Sequence, residues 1–189
     1  MPSYPVHTIE AAPAASRPLL KQALATYGVV PNLLAVLSSA PSVLEAYLTL
    51  QKLFATSSLS AVEQQVVLLT VSTDNACTYC VAAHTLMAAT QGVDPVVLEA
   101  IRSSNSLGDP RLEALRAFTQ AVVSGRGWPP QDVLDDFLAV GYGEAQVLEV
   151  VLGIAFKTLS NYANHLTGTP LDAMFETTRW SAGDGVADD

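Results

Sequence analysis

The chain has 189 residues, enough for one sizeable hydrophobic core and few for two. Half of them are hydrophobic, 14% are charged and the formal net charge is −9, which excludes a disordered chain and gives no basic footprint for nucleic acid or an anionic membrane. No apolar run reaches the roughly eighteen residues of a membrane span, and the opening MPSYPVHTIEAAP lacks the basic start and apolar block of a secretory signal, so the expected compartment is the cytoplasm.

Residues 1–14 carry no helical period and read as a mobile arm. Pro18 to Tyr27 is apolar at helical spacing and stops at Gly28; Pro41 to Ala55 repeats the pattern. Ser60-Ala61-Val62-Glu63 is a capping box, in which the serine caps a helix start and the glutamate reaches back to it. Asp94-Pro95 and Asp109-Pro110 each set a capping aspartate before a proline at the first helical position. Trp128-Pro129-Pro130-Gln131-Asp132 opens another helix, closed by Gly141. A last long helical stretch runs from about Gly143 to Leu166, and the acidic tail 181–189 reads as mobile. No run alternates with period two. The expectation is one all-α domain over residues 1–189.

The sequence also repeats itself weakly. With Glu63 set on Glu144, Gln65 falls on Gln146, Val66 on Val147, Ala82 on Ala163 and His84 on His165 without a gap. The cysteines fall on Thr158 and Asn161. This register predicts a helical bundle with two related helix-turn-helix units, only the first carrying thiols.

Both cysteines of the chain and one of its three histidines lie in N75-A-C-T-Y-C-V-A-A-H-T85. On a helix starting near Asn75, a good cap, Cys80 sits about 300° and His84 about 340° around from Cys77, so all three share a face. Cys80 and His84 are an i, i+4 pair, close enough for thiol and imidazole to meet. Free N–H groups and the helix dipole in the first turns favour a thiolate. The dipole alone favours Cys77 as the ionised member; a neighbouring imidazole base favours Cys80, and the base is the stronger effect. A structural zinc site needs four ligands, and only His7 and His165 are left to add a histidine, so no metal is expected. Burial of both cysteines as inert small hydrophobes is the bland alternative.

C77-T-Y-C-V-A-A-H84, on the second arm of a hairpin whose first arm reads VEQQVVLLTVS, resembles the alkylhydroperoxidase D-like branch of the carboxymuconolactone decarboxylase family, most strongly over Leu59 to Gly92. The resemblance implies an oligomeric helical bundle, no cofactor and a peroxidase cycle. It implies Cys80 as the peroxidatic cysteine, Cys77 as the resolving one and His84 in the proton relay, with an external dithiol of lipoyl or thioredoxin type as reductant. The family pattern has a glutamate twelve residues before the first cysteine, and 77 − 12 = 65 is Gln65 here. The turn near Asp74-Asn75 places Gln65 and His84 about equally far along the two arms, so they should meet. A glutamine can orient the ring but cannot carry a proton. Glu63, two residues away, faces elsewhere and caps the helix. Tyr79, Asp74, Tyr162 and His165 are the other groups available to a relay. Two further functions stand beside the peroxidase: a lactone decarboxylase, which needs acid–base groups but no thiol pair, and a non-catalytic redox-sensing thiol oligomer.

Overall fold

The computed structural model describes residues 4–182. Nine α-helices follow in order: α1 (Arg17–Tyr27), α2 (Asn32–Leu37), α3 (Pro41–Ala55), α4 (Ala61–Asp74), α5 (Thr78–Thr90), α6 (Pro95–Arg102), α7 (Pro110–Ser124), α8 (Gln131–Ala139) and α9 (Glu144–Thr167), with a short 3-10 helix at Ala173–Thr178. The fold is all-α, and no strand occurs among the described residues. No single helix among them is long and apolar enough to cross a membrane. Residues 4–16 form no helix but lie against the bundle: Ala12 is buried and His7 hydrogen-bonds Ser39 at 3.1 Å. Of the tail, residues 183–189 lie outside the described residues, as do residues 1–3 of the arm.

The local signals act where the sequence puts them. Ser60 and Glu63 close the capping box of α4, at 3.3 Å and 2.8 Å. Asp94 accepts from the backbone N–H of Val96, and Asp109 from those of Arg111 and Leu112. Gly28 ends α1 at φ 75°, a left-handed conformation that side chains disfavour.

α4 is the hub. It packs on α5, α7 and α9, and Val66, Val67, Leu69 and Val71 are wholly buried. α9 crosses it at Gly153, where an added Cβ would come within 2.7 Å of Phe54 and 2.8 Å of Val67. Glu63 also holds α4 to the far side of the bundle: Tyr142 donates to it at 2.8 Å and Arg111 pairs with it at 3.2 Å. Arg111 in turn sits 3.9 Å over the Tyr142 ring.

The second helix-turn-helix unit of the predicted repeat is not a hairpin. Glu144 to Thr167 is one unbroken helix of 24 residues. The reason lies in the turn. In the first unit Asn75 caps α4, Ala76 takes φ 52° and Cys77 is extended. The matching residues Phe156, Lys157 and Thr158 carry no turn former and continue the helix.

Candidate functional site

Asn75, expected as the cap of the cysteine helix, instead ends α4, and Cys77 is the cap residue of α5. Cys80 therefore occupies the third position of the first turn, where backbone N–H groups are free and the dipole is positive. Both thiols are reduced and 1% exposed.

Their partners come from α9. Cys80 Sγ lies 3.7 Å from Ser160 Oγ, and the Asn164 side-chain amide donates to Cys80 Sγ at 3.3 Å and towards Cys77 Sγ at 3.8 Å. Lys157 is buried on the same face of α9 at 1% exposure and lines the same cavity as Cys80, where its charge favours the thiolate. Lys157, Ser160 and Asn164 recur at i, i+3 and i+7, one turn of helix apart. Cys80 and His84, expected to meet as an i, i+4 pair, line the same cavity, but no hydrogen bond joins thiol and imidazole. With Cys80 in the first turn of α5, its sulfur turns to α9, and the ring turns to α4.

There His84 Nδ1 lies 3.2 Å from Gln65 Oε1, and Gln65 Nε2 donates to Gln91 Oε1 at 3.0 Å. The amide thus presents its oxygen to the ring. The imidazole proton sits on Nδ1 and Nε2 is left as a proton acceptor. Burial, and then the Lys157 charge, hold His84 well below the usual histidine range, so the ring is neutral.

The two thiols are driven apart. The neighbouring Cys80, and then burial, push the Cys77 thiol up. Burial also pushes Cys80 up, but it is outweighed by the neighbouring Cys77 and the Lys157 charge, leaving Cys80 well below the ordinary thiol range. The surroundings thus favour ionisation of Cys80 over that of Cys77.

A cavity of about 200 Å³ reaches Cys80, His84 and Lys157. Its walls are largely apolar, from Val29, Leu33 and Leu34 on one side to Leu86, Met87, Met174 and Phe175 on the other. Cys77 does not line it. Tyr79 does; burial, and then Asp172, push its phenol up, and it donates to Asp172 Oδ2 at 2.5 Å, tying α5 to the C-terminal segment. The other groups considered for a relay lie elsewhere. Asp74 is exposed and accepts from Gln120, and Tyr162 and His165 stack on each other at the surface. Among the described residues no three His, Cys, Asp or Glu side chains converge as a metal would need.

Sequence reasoning missed Lys157, Ser160 and Asn164. The available signal was Lys157 itself, a lone charge in the apolar run VVLGIAFKTLSNYANH.

Residues 41–128 match the Carboxymuconolactone decarboxylase family. The fold is similar to that of an alkylhydroperoxidase AhpD core, an uncharacterized peroxidase-related protein from Ralstonia eutropha JMP134, with TM-score 0.81 at 22% identity over 91% of this chain and 93% of that one. It is similar to an uncharacterized peroxidase-related protein from Silicibacter sp. TM1040, with TM-score 0.78 at 18% identity over 91% of each chain. It is also similar to the debrominase Bmp8, with TM-score 0.76 at 18% identity over 92% of this chain and 94% of that one. No curated protein matches the sequence.

Proposed function

We propose that this chain, whose residues 41–128 match the carboxymuconolactone decarboxylase family and whose fold is similar to that of an alkylhydroperoxidase AhpD core, is a thiol-dependent peroxidase that cycles Cys80 and Cys77 between dithiol and disulfide. The observation that carries this reading is the asymmetry of the pair. Cys80 lines the cavity and its surroundings draw its thiol below the ordinary range; Cys77, whose thiol is pushed up, does not line it.

The Cys80 thiolate attacks the terminal oxygen of a peroxide. The O–O bond breaks, an S–O bond forms, and Cys80 becomes a sulfenic acid while the leaving oxygen takes a proton and departs as alcohol or water. Cys77 then attacks the Cys80 sulfur. Its proton leaves with the hydroxyl as water and the disulfide closes. An external dithiol, of lipoyl or thioredoxin type, restores both thiols by exchange. His84, neutral and with Nε2 free, can take the proton of the attacked peroxide oxygen as the O–O bond breaks and pass it to the leaving oxygen, the sulfenate then taking a proton from water.

The lactone decarboxylase reading leaves the thiol pair without a role. Activity lost with His84 and kept without the cysteines would support it. A sensing thiol would form the disulfide once and stop. Peroxide consumption with added dithiol tests the proposal against both. Sustained turnover that Cys80→Ser abolishes, with a trappable sulfenic acid on Cys80 in Cys77→Ser, supports it; no turnover in the wild type defeats it.

The same reading expects a homo-oligomer. Leu148, Val151, Tyr162 and Leu166 are exposed along the outer face of α9, over 18 residues or about 27 Å. A monomeric mass in light scattering would contradict this.

A further inference from the structure

Lys157 is the one charged side chain at the floor of the cavity, and nothing acidic answers it. It forms no ion pair within 4.0 Å among the described residues. Its ammonium lies 5.4 Å from the centroid of the Phe156 ring. Burying an ammonium without an anion costs several kcal/mol, so a group beside it that can ionise is favoured to do so.

The groups that face it can be taken element by element. α3 brings Tyr47, whose phenol is pushed up by burial and then by Cys80. α4 brings Gln65 through the His84 ring, and Gln65 has no charge. α5 brings Cys80, with Cys77 behind it, His84, and Tyr79 already bonded to Asp172. α2 and the 3-10 segment bring Leu33, Leu34, Met174 and Phe175. Of these, Cys80 is the group that both lines the cavity and receives the Asn164 amide, at 3.3 Å.

We propose that Lys157 is the positioning residue of this site: its ammonium is the counter-ion that holds Cys80 as the thiolate and keeps His84 neutral, in place of a carboxylate at position 65. The geometry agrees on both counts. Asn164, on the same face of α9, donates to the Cys80 sulfur at 3.3 Å, a hydrogen bond of the kind a sulfur anion needs. A glutamate at 65 would draw a proton onto His84, whereas Gln65 leaves the positive charge on α9 alone. The inference rests on Cys80 as the reacting thiol, but it concerns ionisation and not the oxidant.

The test is the pH profile of Cys80, read from thiolate absorbance near 240 nm and from the rate of alkylation by iodoacetamide. In Cys77→Ser only Cys80 reports, and the serine hydroxyl keeps a donor beside it. In that background the titration midpoint should lie at least one pH unit below the ordinary value of about 8.5. Lys157→Met should move it up by one unit or more and slow alkylation at pH 7 at least tenfold, with Lys157→Arg restoring most of the shift. A midpoint at or above about 8.5 with Lys157 intact overturns the proposal even if no variant folds. So does a folded Lys157→Met protein with an unmoved midpoint. A low midpoint without peroxide turnover would leave this inference standing and defeat the peroxidase reading.

Discussion

Glu63 to His84 and Glu144 to His165 share one 21-residue spacing, yet the first folds back on itself and the second runs straight for about 32 Å. In the hairpin, Gln65 and His84 meet and Glu63 is built into a network. In the long helix, Glu144 and His165 are both exposed, near opposite ends. Equal spacing does not make equal sites. Asn75 and the left-handed Ala76 turn one copy, and Lys157, which matches Ala76, turns nothing. The straight copy instead lies against the folded one and lends it a charge and two polar side chains. The two copies become the two walls of one site.

Substitutions at matched positions should separate the copies. The largest difference is expected at the histidines. His84→Ala should slow oxidation of Cys80 by about 10²-fold or more, the effect of losing a positioned base, while His165→Ala should leave it unchanged; stopped-flow peroxide consumption decides. Equal effects would mean that the straight helix holds a second site.

The acidic pair comes next. Glu63→Gln breaks the capping box and the bonds to Arg111 and Tyr142, and should cost about 2 kcal/mol in denaturant unfolding. Glu144→Gln, exposed, should stay within about 0.5 kcal/mol. Although burial raises the Glu63 carboxyl, Ser60, Tyr142 and Arg111 leave it below its ordinary range. Its contribution is therefore complete at neutral pH and is lost as the pH falls below that range.

The glutamines give a smaller and purely titrational effect. Gln65→Glu places a carboxylate against His84, favours the imidazolium and should shift the pH profile of Cys80 alkylation by about one unit. Gln146→Glu should shift nothing. If Glu63→Gln rather than Gln65→Glu alters that profile, Glu63 is the relay residue.

The smallest effect is a slope. His84 is depressed by burial and then by Lys157, so between its folded value and the ordinary value of about 6.5 the unfolded chain holds the extra proton. Stability should then fall as pH drops below about 6.5, by up to about 1.4 kcal/mol per unit. His84→Gln should flatten that slope and His165→Gln should not.

These contrasts also mark what the sequence could disclose. Helix starts were legible because their signals are local: Ser60, Asp94 and Asp109 bond N–H groups two or three residues away. The meeting of Gln65 and His84 was legible because a hairpin brings together residues equally far from its turn. The straightness of α9 was half hidden, since matching the ends of a repeat says nothing about its middle. Beyond the lone charge of Lys157, the residues Ser160 and Asn164 were illegible as site residues because they reach the thiols from about 80 positions away, and no local rule fixes which face of α9 turns inward. The start of α5 was misplaced by two residues because Asn75, a good cap, serves the preceding helix at its other end.

The central claim is that Cys80 and Cys77 act as one redox pair with Cys80 taking the oxidant. Thiol titration before and after one equivalent of an organic hydroperoxide, with mass spectrometry of the Cys77–Cys80 peptide, tests it most directly. The account expects two titratable thiols to fall to none, with the peptide lighter by two hydrogens and the loss reversed by a dithiol. Two thiols still titrating after the hydroperoxide is added, or a stable oxygen adduct on Cys77 with Cys80 unmodified, would contradict it.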